Sequence, residues 1–88
     1  MTDVYLVGSF NNWDTTKDAM IIRKSEGNTN TFEVYLELYS GLYYYKFYFP
    51  ASKTYIHDPM NPNKVSDSYG GFNSVLEIPV LLILCFKR

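Results

Sequence analysis

The chain has 88 residues, 47% hydrophobic and 19% charged, which suits one folded core and leaves no room for a second. A net charge of −1 carries no basic stripe for a phosphate backbone, so nucleic acid is not an expected partner; one Cys and one His give neither a disulfide framework nor the ligand set of a structural zinc. Aromatic residues make up 18%, nine of them Tyr, whose apolar body and polar tip tolerate half-exposed positions.

The opening M-T-D-V-Y-L-V-G lacks the basic segment and the longer apolar run of a secretory signal. With Cys85 as the single cysteine, an intracellular, cytoplasmic protein is expected. Asp3 to Phe10 alternates as a strand, with Val4, Leu6, Gly8 and Phe10 on one side and Tyr5, Val7 and Ser9 on the other. Asn11-Asn12-Trp13-Asp14 reads as a turn, so the only tryptophan sits outside the regular elements. Ala19 to Lys24 is a short apolar segment, and S-E-G-N-T-N after it reads as a hairpin loop.

Thr31 to Leu38 is the clearest strand, with Phe32, Val34, Leu36 and Leu38 alternating against Glu33, Tyr35 and Glu37. After a turn at Tyr39-Ser40-Gly41, Leu42 to Phe49 places Tyr43, Tyr45, Phe47 and Phe49 inward. Lys46 marks the opposite face, with Leu42, Tyr44 and Tyr48, as solvent-facing. P-A-S-K turns the chain, Thr54 to His57 is a short extended piece stopped by Pro59, and residues 60 to 70 read as a polar loop. Gly71 to Ile78 is the last regular strand, with Asn73, Val75 and Glu77 opposing Phe72, Ser74, Leu76 and Ile78. No segment has a helical period, so the pattern predicts an all-β sandwich or small barrel of antiparallel strands.

Residues with catalytic potential do not meet. Glu33 and Glu37 share a face but stand about 13 Å apart at about 3.4 Å per residue, too far for a pair of glycosidase carboxylates. His57 and Asp58 are adjacent in an extended chain and point to opposite faces. Asp58, Asn61, Asn63 and Asp67 miss the calcium-loop spacing. Neither catalysis, a metal nor a cofactor is expected. What remains is an aromatic surface bearing a lysine and amides, suited to a sugar: pyranose C–H groups lie on a ring while the hydroxyls bond at its edge. Trp13, Tyr55, Lys46 and Asn73 supply both kinds of contact; the bland alternative has Trp13 plugging the end of the sandwich.

Four motifs in order, V-Y-L-V-G-S-F-N-N-W, G-L-Y-Y-Y-K-F, Y-I-H-D-P and G-G-F-N-S-V-L-E-I, span residues 4 to 78. Together they resemble carbohydrate-binding module family 48, above all the glycogen-binding domains of AMP-activated protein kinase β subunits. The resemblance implies an immunoglobulin-like antiparallel β-sandwich of the early-set type that binds α-1,4-linked glucan, glycogen or starch, as a polymer or a malto-oligosaccharide, without catalysis. It assigns sugar stacking to Trp13, hydrogen bonding to Lys46, a second ring, where the family has tryptophan, to Tyr55, and an amide cap to Asn73. Tyr69 and Gly71 stand where the family carries a bulky aliphatic residue and a threonine, so Tyr69 joins the site with a changed mode of contact.

Residues 1–78 are thus expected to form the sugar-binding module and 79–88 an apolar C-terminal extension. V-L-L-I-L-C-F after Pro79 is too short to span a bilayer, so no membrane role is expected. It reads as an added strand. The family's strand ahead of V-Y-L-V-G has no counterpart in the chain, and Val80 to Phe86 is expected to fill that vacant edge, in its own chain or in a neighbour's, giving a homodimer. The rival function is a protein-interaction or scaffold module of a kinase or glucan-metabolising complex, contacting partners through Tyr44, Tyr48 and the C-terminal strand. A third reading is an accessory domain of a starch-branching or debranching enzyme.

Overall fold

A computed structural model describes residues 3–27 and 29–88. Eight strands follow in order: β1 Tyr5–Gly8, β2 Ile21–Glu26, β3 Thr29–Leu38, β4 Gly41–Phe49, β5 Thr54–Ile56, β6 Lys64–Ser66, β7 Phe72–Ile78 and β8 Leu82–Lys87, with a 3-10 turn at Ser9–Asn11. One sheet has the order β1-β4-β7-β6, with β5 also pairing β4, and the other β2-β3-β8; every pairing is antiparallel. The architecture is an all-β sandwich of antiparallel strands, one of the two forms the alternation predicts, and it agrees with the immunoglobulin-like form the resemblance implies.

The inward faces are those the two-residue period assigns. Leu6 and Phe47, cross-strand partners, are fully buried, joined by Val4, Phe32, Leu38, Tyr45 and Ile78, with Val34, Leu36, Ile56 and Leu76 packed around them. Phe86 enters the same core from β8, its ring edge-on to Tyr45 at 5.2 Å. Behind β4, the Tyr45 hydroxyl donates to Asp58 Oδ2 at 2.8 Å and accepts from Asn61 Nδ2, which also reaches the Val75 carbonyl. Burial pushes the Tyr45 phenol above its ordinary range. Two oxygens of the discarded calcium motif, Asp58 Oδ1 and Asn61 Oδ1, accept backbone N–H groups two residues on.

Four expectations change. The first strand ends at Gly8, because Ser9–Asn11 coils into the 3-10 turn; Phe10 still packs on the core, beside Tyr43 and Phe86. The loop between β2 and β3 is shorter than S-E-G-N-T-N suggests. The strands run through it to a Glu26↔Thr29 pair and reverse at Gly27, whose φ of 57° is left-handed; Asn28 lies outside the described residues. Within the supposed polar loop 60–70, Lys64–Ser66 adds an edge strand to β7. Finally, β8 pairs with β3 in the second sheet and does not cover β1. That edge is met by residues 18–20, through a Tyr5↔Ala19 bridge and bonds from Leu6 N to Asp18 O and from Met20 N to Val4 O.

Candidate functional site

The outer face of the larger sheet holds a cleft of about 390 Å³ lined by Trp13, Lys46, Tyr55, Asp67, Tyr69 and Asn73. Its geometry begins with a fork in β4. Up to Tyr45 the strand pairs with β7, and from Phe47 onward with β5 on the same side, so Lys46 is the residue at which the partner changes. Ser74 lies opposite Tyr45 and Ile56 opposite Phe47, both facing inward; their neighbours Asn73 and Tyr55 therefore face outward, flanking Lys46 on two strands. Tyr55, 48% exposed, rests its ring against Tyr48 at 4.6 Å.

Trp13 arrives from the other side, off the 3-10 turn. Asn12 and Trp13 have φ of 57° and 58°, two successive left-handed residues without glycine, each costing about 1–2 kcal/mol. The turn holds this strained shape through the buried amide of Asn11. Its oxygen accepts the Gly8 N–H at 3.1 Å, and its nitrogen donates to the Leu6 carbonyl at 3.0 Å and to Asp18 Oδ2 at 2.7 Å. Ser9 Oγ accepts the Tyr44 N–H, and Trp13 N donates to the Gly8 carbonyl, tying the turn to β4 and β1. A side chain at Gly8 would come within 2.5 Å of the Tyr44 carbonyl, so only glycine allows this approach. The result is an indole 37% exposed at a fixed place.

The opposite wall is the reversal between β6 and β7. Asp67 Oδ1 accepts the N–H groups of Tyr69 at 2.7 Å and Gly71 at 3.0 Å, while Oδ2 forms an ion pair with Lys46 Nζ. The lysine hydrogen bond, then the two backbone N–H groups, hold the Asp67 carboxyl down at about 2. Tyr69 projects at the tip of this loop, 94% exposed. His57 is not in the cleft lining; its ring meets Phe72 edge-on at 5.7 Å. Tyr44 contributes its backbone to the turn, and its side chain does not line the cleft.

All five residues singled out in the sequence therefore line one cleft. A profile describing the glycogen recognition site of AMP-activated protein kinase matches residues 1–81. The chain belongs to this family. It is a glycogen-recognition module, of a family of non-catalytic carbohydrate-binding domains, and the matched segment takes in every residue of the cleft. No curated protein sequence matches the chain.

The sequence reading missed Asp67 as a member of the module's cleft, treating it only as a stray oxygen ligand. A local signal existed: Asp followed by Ser, Tyr, Gly and Gly is the composition of an Asx turn. Its pairing with a lysine 21 residues earlier has no such signal.

Proposed function

We propose that the cleft binds a chain of α-1,4-linked glucose units, as found in glycogen and equally in starch or a malto-oligosaccharide. Trp13 stacks on one pyranose and Tyr55 supports the next. The Lys46 ammonium and the Asn73 amide bond hydroxyls at the ring edges, and Tyr69 flanks the chain from the loop that Asp67 holds. The observation that supports this is the convergence of neutral rings and hydrogen-bonding tips from four separate segments on one open cleft, inside a glycogen-recognition fold. The module holds sugar and transforms nothing. An open site with few contacts suits an affinity between micromolar and millimolar, about −4 to −8 kcal/mol, which display on a branched polymer strengthens.

Trp13→Ala should weaken retention on glycogen in affinity electrophoresis by at least about tenfold, about 1.4 kcal/mol. Circular dichroism should show an unchanged fold. Retention at wild-type strength would remove the proposal. Maltoheptaose should also change the tryptophan fluorescence of the wild-type protein, since Trp13 is its only indole.

Partners follow from the second sheet. β8 is an edge strand there, and we propose that its open backbone edge pairs antiparallel with β8 of a second copy, a kinase subunit or a glucan-active enzyme being the alternative partners. Sedimentation should then show a dimer that Ile83→Lys converts to monomer, and a monomeric wild type ends that reading. The free thiol of Cys85 suits the reducing cytoplasm, where we place the module.

A further inference from the structure

The cleft contains two charged side chains among its six lining residues, Lys46 and Asp67, and they are paired with each other. Their side chains are 15% and 10% exposed, so water and counterions reach them little and the pair is weakly screened. The carboxylate does not depend on the lysine for its position. Its other oxygen is held by the Tyr69 and Gly71 N–H groups of its own loop. Gly71 also leaves it room: a Cβ there would lie 2.9 Å from Asp67 Oδ2. Lys64, paired across the strands with inward-facing Ser74, lies on the other side of the sheet, where it is turned onto the Phe72 ring at 4.6 Å, and does not line the cleft.

We infer that Asp67 sets the charge preference of the cleft, making it a site for uncharged glucan that turns away glucan bearing phosphate esters. The inference rests on the glucan reading above and adds a selection rule to it. An unpaired ammonium at the floor of the cleft would attract any phosphorylated sugar. With Asp67 alongside, the two charges sum to zero, and a phosphate approaching Lys46 meets a carboxylate fixed within bonding distance of the same nitrogen. Sugar hydroxyls lose little by this arrangement, because an ammonium has three N–H donors and Asp67 takes one. Asp67 thus acts through Lys46, as a positioning and specificity residue.

The test is calorimetric titration of the wild type, Asp67→Asn and the double variant Lys46→Gln/Asp67→Asn, each with maltoheptaose and with maltoheptaose carrying a 6-phosphate. The wild type should bind the neutral sugar about three- to tenfold more tightly than the phosphorylated one. Asp67→Asn should erase or reverse that ratio. The phosphate affinity it gains should fall as salt rises from about 0.02 to about 0.3 M. The double variant should lose the gain, because no cation remains to attract the phosphate. An unchanged ratio in Asp67→Asn overturns the inference, including the case where a loosened Tyr69 loop weakens both sugars equally. If the wild type binds neither sugar, the glucan reading fails with it; neutral binding with an unaltered ratio removes only the role given to Asp67.

Discussion

The two outer faces of the sandwich both expose apolar side chains, but they treat them differently. On the larger sheet, the cleft rings stand on supports: a buried amide under the Trp13 turn, a carboxylate under the Tyr69 loop, and a second phenol behind Tyr55. On the smaller sheet, Ile21 and Ile83 are exposed, and each lies directly across from an acid, Glu33 and Glu37. Charges between aliphatic groups keep a sheet face wet and discourage stacking of sheets. Exposure alone therefore does not separate the proposed binding face from a solvated one. What separates them is how many polar groups are committed to holding each exposed ring in position.

The contrast can be tested by removing supports from each region. Phe86→Ala, in the smaller sheet, should cost about 3–5 kcal/mol in denaturant unfolding, since a buried ring that closes the core against Tyr45 is lost. Its effect on glycogen retention should follow only the fraction unfolded. Asn11→Ala should cost about 2 kcal/mol, leaving the Gly8 N–H and the Leu6 carbonyl without partners. Here retention should fall further than unfolding explains, because the strained backbone at Asn12 and Trp13 relaxes. If the two variants lose retention in equal proportion to stability, the distinction between the faces is wrong.

The smallest effect is the pH dependence of the Tyr69 loop. Asp67 has a folded pKa of about 2, below the ordinary value of 3.8, so its stabilising contribution is complete above about pH 4 and disappears as pH falls through 2. Melting temperature should drop across that window in the wild type, and Asp67→Asn should flatten that part of the drop. An identical profile in the variant would mean that the Lys46 pair and the loop bonds contribute nothing to stability.

Much of this was legible in the residues. The alternation in Thr31–Leu38 and Leu42–Phe49 assigned the core faces of β3 and β4, and one lysine was enough to orient the sheet that carries the cleft. Trp13 could be placed on a turn because N-N-W-D follows an alternating run. Three things were hidden. Lys64–Ser66 has only three residues and belongs to the edge of its sheet, too short for a period to register. The position of β8 depends on which edge its apolar side completes, and the sequence shows only that the segment is apolar. The partnership of Asp67 with Lys46 arises from the register of three strands, which no local pattern encodes.

The fork at Lys46 has a consequence for dynamics. A glucan chain laid across it would touch residues from β4, β5 and β7 at once, joining a three-residue strand to the centre of the sheet without any backbone bond between β5 and β7. Occupancy would then slow amide exchange in Thr54–Ile56 far more than in the smaller sheet. The sugar would act as a cross-brace, so a strand of only three residues would stiffen while the module is loaded.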